Sequence, residues 1–305
     1  MTATRNISMV TMMKKIRYEI EFIAVKSLLF LINLIPYRLA LLIGDIIGFL
    51  AFSIFRIRRA VTLKNLENSF GAKYSDKQYR AIGLKAYRNI ARSMIEYGLF
   101  PSLKKKGLGN FLSLEGRENL QAIAKGGKGA VLVTGHFGSW ELMGAFIAGE
   151  GWPIDYLVGE QHNLKVNKLM NDFRSMFGIG LIELGVAARG VFKAVKGGRM
   201  VCMLSDQDAG SDGVIVQFLG RPASTPKGPA AFAIKTSAPL ACGFIVRDGW
   251  RQRIIIEPPI QMGLTGNKEQ DIKNLTQGYT MLLEKYIRQY PDHWFWPHRR
   301  WKSTR

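Results

Sequence analysis

The stretch GAVLVTGHFGSWEL, residues 129–142, contains the clearest structural signal in the chain. Its apolar run over residues 130–134 is typical of a strand that is buried on both faces of a sheet. Gly135 and Gly138 then allow the backbone to turn sharply, and a helical pattern begins near Ser139. A buried strand, a tight turn and a helix together predict one unit of an α/β fold.

The sequence on the carboxyl side continues the same alternation. Apolar runs predict strands at residues 154–158, 179–184 and 200–205, and helical patterns cover residues 164–177, 186–198, 227–237 and 272–290. Residues 239–249 and 251–259 predict two antiparallel strands around a turn at Asp248-Gly249. We therefore predict an α/β fold with a mixed, largely parallel sheet flanked by helices.

The amino-terminal part is the most hydrophobic region, from residue 22 to residue 55. Three interpretations of this region are open: it spans a bilayer once with a kink at Pro36, it forms two helices that enter one leaflet, or it is a buried hairpin of a soluble protein. Basic residues at both ends favour the leaflet-embedded hairpin, because both ends then face the cytoplasm. We expect a membrane-associating helical segment at residues 1–60 and the main domain at residues 61–305, with no cleaved signal peptide.

The composition restricts the partners. The chain has 305 residues with 43 Lys and Arg against 23 Asp and Glu, a formal charge of +20, which favours nucleic acid, an anionic bilayer surface, or phosphorylated and acyl-carrier substrates. Cys202 and Cys242 lie in apolar runs and predict buried free thiols, so a reducing compartment is favoured.

His136 and Glu141 are the candidate catalytic residues. His136 lies in the glycine turn just before the helix, and Glu141 falls on the first helical turn, from which we expect it to reach one imidazole nitrogen. A carboxylate that holds one nitrogen leaves the other to accept a proton from a hydroxyl. The alternative is a capping or core histidine beside a glutamate at a helix start.

Other functions find less support. The four histidines form no HExxH pattern, and we expect no metal and no cofactor. GHFGS is not the GxSxG elbow of serine hydrolases, although Ser139 is nearby. A non-catalytic basic protein that binds membranes or nucleic acid would explain the charge but not the glycine-flanked His136.

Several motifs in order carry a resemblance to a known family. VTGHFGSWEL resembles the HxxxxD/E motif of the glycerolipid acyltransferase superfamily, in the variant found in the late acyltransferases of lipid A biosynthesis. NLENSF at residues 65–70, SDQD at residues 205–208, VQFLGRPASTPKGPA at residues 216–230 and the ending PDHWFWPHRRWKSTR match further blocks of that family. The resemblance covers the chain from about residue 64 to the carboxyl terminus.

The resemblance implies a membrane-bound enzyme on the cytoplasmic face of the bacterial inner membrane. It implies transfer of a fatty acyl chain from acyl carrier protein, or less usually acyl-CoA, to a hydroxyl of a lipid A precursor, with nucleic acid not a partner. The family's His and Glu carry over to His136 and Glu141, and its DQ block carries over to Asp206 and Gln207 near the same site. Other phospholipid, mannosylated-lipid or amino-acid-lipid acceptors stay open.

Some positions allow two interpretations. Arg221 and Lys227 could hold a substrate phosphate or be ordinary solvated charges. An Arg that family members often carry is absent from residues 158–163, which read VGEQHN. The three tryptophans of the tail suit a headgroup-level belt, stacking on single-stranded nucleic acid or simple packing.

Overall fold

The computed structural model describes residues 2–304, with side chains described from residue 12 onward. The helices are α1 Thr2–Asn33, α2 Tyr37–Phe49, α3 Arg59–Phe70, α4 Asp76–Gly98, α5 Phe100–Lys106, α6 Arg117–Lys125, α7 Trp140–Gly149, α8 Leu164–Met176, α9 Ala187–Lys196, α10 Gly228–Thr236 and α11 Lys268–Gln289. The strands are β1 Leu112–Glu115, β2 Ala130–Thr134, β3 Ile154–Val158, β4 Gly180–Glu183, β5 Met200–Leu204, β6 Val214–Phe218, β7 Arg221–Thr225, β8 Leu240–Asp248 and β9 Arg251–Ile256. Five residues of π-helix, Leu50–Ile54, extend α2.

Seven of these strands form one sheet in the order β1-β9-β8-β2-β5-β3-β4. Every neighbouring pair runs parallel except β8 and β9, which are antiparallel as predicted. The fold prediction is therefore confirmed. The antiparallel hairpin β6–β7 is a separate two-stranded sheet.

Strand β2 lies at the centre of the sheet, and each of its residues is buried. Its alternate side chains enter different cores: Val131 and Val133 belong to the core that contains residues of α10 and α11, whereas Leu132 belongs to the core that contains residues of α7. Since both faces are covered by helices, the strand is a continuous apolar run without polar alternation. Cys202 and Cys242 are free and buried, as predicted.

The register of β2 and β5 determines the position of the candidate site. Thr134 pairs with Leu204 at the carboxyl ends of these two parallel strands. The residues that follow each strand, His136 on one side and Asp206 on the other, therefore emerge at the same edge. Open α/β sheets place their ligands at this edge.

The amino-terminal helices pack differently from the rest. Helix α1 ends at Asn33 and α2 begins at Tyr37, so the backbone breaks at Pro36 as the sequence indicated. Helix α2 lies close against α4: a Cβ on Gly48 would come within 2.6 Å of the Arg88 backbone, and one on Gly44 within 3.0 Å of the Arg92 backbone. Only glycine allows so close an approach of two helices.

The surface of α1 and α2 that faces away from α4 is apolar and exposed. Residues 37–54 form the one helix, within the described residues, that is long and apolar enough to cross a membrane, and 28% of it is buried. Large apolar side chains stand in solvent on α1, α2 and the turn after them: Ile16, Ile20, Ile23, Leu28, Phe30, Leu31, Leu34, Leu39, Leu42, Ile46, Ile54, Phe55 and Ile57.

Helix boundaries followed local capping chemistry. Ser75 and Gln78 form a capping box at the start of α4. Helix α11 begins four residues before the predicted Ile272, because the Asn267 side chain accepts hydrogen bonds from the backbone N–H groups of Glu269 and Gln270.

Candidate active site

The imidazole of His136 is held by the carboxylate of Asp206. His136 Nδ1 lies 2.8 Å from Asp206 Oδ1, and the His136 backbone N–H donates to Asp206 Oδ2 at 2.9 Å. The Asp206 side chain is 2% exposed, whereas that of His136 is 21% exposed. Because one imidazole nitrogen is engaged inside the protein, the other nitrogen, Nε2, is the one left for a substrate.

Two glycines allow this contact. A Cβ on Gly135 would lie 3.1 Å from Cβ and Cγ of Asp206, so the glycine lets the carboxylate approach the turn. Gly138 has a φ of +59°, and a Cβ there would come within 2.1 Å of the Ile245 carbonyl oxygen. The double-glycine turn is therefore required both for backbone conformation and for space.

The electrostatics of the pair favour an ionised carboxylate and a basic imidazole. Burial opposes charging of His136, but the negative charge and hydrogen bond of Asp206 outweigh it and raise its pKa above the ordinary value. Burial likewise opposes ionisation of Asp206, yet the adjacent imidazole and the Trp294 N–H lower its pKa to about 2. The pair thus suits a base whose protonated form is stabilised.

Glu141 does not occupy the position that the sequence predicted. Both of its oxygens accept from Arg174, at 2.6 Å from Nη2 and 3.1 Å from Nε. The expectation that Glu141 orients the imidazole is wrong in this geometry, because Asp206 binds Nδ1 and both carboxylate oxygens of Glu141 accept hydrogen bonds from Arg174. Glu141 still contributes to raising the pKa of His136 through its charge.

His136, Glu141, Arg174 and Gln207 line one cavity of about 480 Å³. Its other walls are mainly apolar and aromatic, and they come from α4, α7, α8 and the ends of β2, β3 and β5: Met94, Tyr97, Trp140, Tyr156, Leu157, Val158, Met170, Leu184, Cys202, Met203 and Leu204. Burial raises the pKa of the Cys202 thiol to about 12, so it is not a thiolate nucleophile. The cavity combines a largely apolar wall with a few convergent polar groups, as ligand sites do.

Arg221 and Lys227 lie away from this cavity. Arg221 begins β7, and its guanidinium lies over the Trp301 ring at 4.8 Å from the centroid. Lys227 is the exposed residue that precedes α10. Neither is among the residues that line the cavity, so their contact with substrate stays a prediction without support from this geometry.

The carboxyl-terminal tail is buried against the histidine turn. Trp294, Trp296 and Trp301 are 1%, 0% and 2% exposed, so packing is the correct interpretation of the three tryptophans, and a headgroup belt or a stacking surface is not. Ser139, the possible nucleophile of a hydrolase, is 1% exposed and is not among the residues that line the cavity.

Arg174 is the site residue that the sequence reasoning missed. It lies on α8 four residues after Met170, and both side chains face the cavity. Burial opposes its charge, but Glu141 raises its pKa above the ordinary value, so it stays a cation. The sequence contained one signal for this residue: Arg174 falls on the apolar face of the amphipathic pattern of α8, where a charged side chain is unusual.

Comparison with known proteins gives a consistent result. The family described as "Bacterial lipid A biosynthesis acyltransferase" matches residues 9–303. The lipid A biosynthesis lauroyltransferase of Escherichia coli is 24% identical over 303 residues, 94% of this chain and 92% of that protein. The phosphatidylinositol mannoside acyltransferase of Mycolicibacterium smegmatis is 26% identical over 220 residues, 70% of each chain. The lipid A biosynthesis palmitoleoyltransferase of Escherichia coli is 24% identical over 278 residues, 88% of this chain and 87% of that protein.

Proposed function

Since this chain belongs to the bacterial lipid A biosynthesis acyltransferase family and is an acyltransferase with a lipid acceptor, we propose that it moves a fatty acyl group from acyl carrier protein to a hydroxyl of a lipid A precursor. The proposal rests above all on one observation. His136 opens onto a largely apolar cavity while buried Asp206 holds its Nδ1 at 2.8 Å.

In the proposed reaction His136 is the general base. Its free Nε2 accepts the proton of the acceptor hydroxyl while the hydroxyl oxygen attacks the thioester carbonyl carbon. The tetrahedral intermediate then expels the thiolate, which takes the proton back from the imidazolium. The ester forms, the thioester C–S bond breaks, and no acyl-enzyme is required. Asp206 orients the ring and stabilises its charged form.

Glu141 and Arg174 supply a second charged pair in the same cavity. A carboxylate with both oxygens engaged by one guanidinium holds that guanidinium in place. We assign Arg174 to the negative charge that develops on the carbonyl oxygen, because a preorganised cation in a site with little water stabilises such a charge strongly. Glu141 then acts by positioning Arg174 and by its charge on His136.

The apolar wall is assigned to the acyl chain. A cavity of about 480 Å³ lies within the usual range of sites for small ligands, roughly 300–1,000 Å³. Acyl carrier protein is the preferred donor, because the formal charge of +20 favours an acidic protein partner. Acyl-CoA is the alternative donor.

We propose that the enzyme lies on the cytoplasmic face of the inner membrane and enters one leaflet without crossing the bilayer. Helix α2 contacts α4 closely along Gly44 and Gly48, and Asp45 pairs with Arg92 of α4 at 2.5 Å. A spanning α2 would pull this charged helix into the hydrocarbon, which is costly. Insertion of the exposed apolar face alone avoids that cost.

The acceptor is tested by mass spectrometry of lipids from cells with and without the gene. A lost acyl increment on a lipid A species is the expected result, and a lost increment on a mannosylated phosphatidylinositol would favour the acceptor named for the mycobacterial relative. Purified enzyme with labelled acyl carrier protein or acyl-CoA then identifies the donor. Transfer that persists in His136→Ala at the wild-type rate would refute the proposed base.

A further inference from the structure

The Asp206 carboxylate has a third N–H donor that the proposed reaction does not use. Trp294 Nε1–H donates to Asp206 Oδ2 at 2.8 Å, the same oxygen that accepts the His136 backbone N–H. Oδ1 is thereby left to the imidazole alone. The two donors on Oδ2 together restrict rotation of the carboxylate.

The backbone around Trp294 is also joined to the histidine turn. Phe137 and Trp294 form an isolated antiparallel bridge. The Gly138 N–H donates to the His293 carbonyl at 2.8 Å, and the Phe295 N–H donates to the His136 carbonyl at 3.0 Å. The tail therefore holds the turn on both sides of the imidazole, and Trp294 lies at the centre of that contact.

The indole itself cannot easily move. It is 1% exposed, and it packs edge to face against Trp296, with centroids 4.7 Å apart, and against Phe218, at 5.4 Å. A donor fixed by packing transmits its position to the acceptor, whereas a mobile hydroxyl or amide would turn with it. The charge on Asp206 makes this hydrogen bond stronger than a neutral one.

From these contacts we propose that Trp294 is a positioning residue of the reaction: its indole N–H locks the Asp206 carboxylate so that Oδ1 faces His136 Nδ1. The inference rests on the proposed function, in which His136 is the base. It gives the conspicuous tryptophan of the tail a role in proton transfer in addition to packing.

Trp294→Phe removes the N–H and keeps an aromatic ring, and Trp296→Phe is its matched control. Trp296 is equally buried and also donates one N–H, to the Pro291 carbonyl at 2.6 Å, but this bond does not involve Asp206. The measurement is kcat and KM for both substrates across pH, in the full-length enzyme, with thermal unfolding of each variant.

We expect Trp294→Phe to lower kcat on the order of tenfold, the effect of one lost hydrogen bond to a charged group, with both KM values within about twofold of wild type. A carboxylate with one donor fewer attracts the imidazole proton more strongly. The acidic limb of the kcat/KM profile should therefore move to higher pH by about half a unit. Trp296→Phe should leave that limb where it is in wild type.

The inference is overturned if the acidic limb of Trp294→Phe coincides with wild type, or if Trp296→Phe shifts it equally. His136→Ala distinguishes failure of the proposed function from failure of this inference. Full activity of His136→Ala would refute His136 as the base. If His136→Ala is inactive but the acidic limb of Trp294→Phe stays at its wild-type pH, only the role of Trp294 is refuted. If Trp294→Phe does not fold, ¹⁵N-tryptophan spectra of the folded wild type decide the question. The chemical shift of one indole N–H should change with pH over the same range as the acidic limb of kcat/KM. If no indole N–H shift changes over that range, the proposal is refuted.

Discussion

The end of the central sheet and the amino-terminal helices are both rich in apolar side chains, yet they are covered in opposite ways. The apolar residues of β2 are all buried between helices, and beyond the carboxyl end of the strand His136 opens onto the cavity while buried Asp206 holds its ring. On α2 the side that faces α4 is tightly packed through glycines, whereas Ile46 on the other side is 58% exposed. A folded protein rarely leaves so continuous an apolar surface in water.

The difference indicates a division of work. The sheet end holds the charged groups rigidly, because each is fixed by a buried partner. The exposed apolar side chains of α1 and α2 have no protein partner among the described residues, and we propose that the bilayer is their partner. The two regions should therefore fail independently: variants of the site should lose turnover and keep membrane binding, and variants of the helical surface should do the reverse.

The largest expected effect is that of His136→Ala. Loss of the proposed general base should lower kcat about 10²–10⁴-fold, because that is the usual contribution of general acid–base catalysis. Vesicle binding should stay near wild type because the amino-terminal helices are unchanged, whereas thermal stability should fall because the buried Asp206 carboxylate loses its imidazole partner. His162→Ala, at an exposed histidine outside the cavity lining, is the matched control and should retain full turnover. A loss of vesicle binding in His136→Ala would contradict the division of work.

The next effect in size is that of Asp206→Asn. Asn cannot stabilise the imidazolium, so we expect kcat to fall on the order of 10²-fold, less than for loss of the base itself. In wild type the pKa of His136 is raised, so the base becomes protonated at a higher pH than an ordinary histidine as the pH falls. Without Asp206, burial dominates, and the acidic limb of kcat/KM should move to lower pH.

Asp155→Asn is the control for this change. Asp155 is a buried carboxylate of the same sheet, paired with Arg199 at 2.6 Å and remote from His136 in its contacts. Its loss should destabilise the protein and leave the position of the acidic limb unchanged. An equal displacement of the limb in both variants would mean that Asp206 has no special connection to the base.

Part of the site was accessible from the sequence. The apolar run before GHFG predicts a strand end, and a sheet edge is where chemistry is expected, so His136 could be proposed from the pattern. Asp206 and Gln207 are proposed from the resemblance of the DQ block to the family. The partner of His136 could not be derived from spacing alone. Glu141 is near in sequence, but Asp206 is near in space because β2 and β5 are neighbours in register, and that neighbourhood is a property of the sheet.

The fold was predictable where periodicity is strong. Strand β2 matched its apolar run, and the break at Pro36 followed from the residue type. The strand order β8-β2-β5 could not be predicted, since it depends on which helices cover which face. The tail tryptophans are buried for the same reason: their environment is built by residues far away in the chain, such as Phe218.

The apolar surface of the helices gives the third prediction. Ile46→Ser with Ile54→Ser should weaken binding to vesicles between about tenfold and a hundredfold, because each buried aliphatic side chain contributes roughly 1.5–3 kcal/mol and insertion is partial. Ile215→Ser with Met281→Ser is the matched control, since these residues are also exposed apolar side chains but lie on β6 and α11. Turnover with soluble substrates in detergent should survive in both. If the control pair weakened binding as much, the surface would not be the membrane contact.

The smallest expected effect concerns the turn between α2 and α3. Arg56 and Arg58 adopt positive φ values of 51° and 49°, which are uncommon for a side chain of this size, and they lie beside exposed Phe55 and Ile57. Backbone strain of this kind persists at functional segments. If the apolar surface inserts as we propose, arginines at its edge are positioned to meet lipid phosphates, at about 1 kcal/mol for each basic residue near an anionic membrane.

Arg56→Gln with Arg58→Gln should therefore weaken binding to anionic vesicles by at most about thirtyfold, since two charges contribute about 1 kcal/mol each, and leave binding to neutral vesicles unchanged. Lys105→Gln with Lys106→Gln removes the same charge from exposed positions on α5 and should have little effect. The difference between the two pairs should disappear at high salt, because screening shortens the reach of surface charges. If both pairs weaken binding equally, the total charge attracts the membrane and the turn has no special part. If only the turn matters, the apolar surface and its basic edge act together, and the sheet end receives its acceptor from a fixed side of the bilayer.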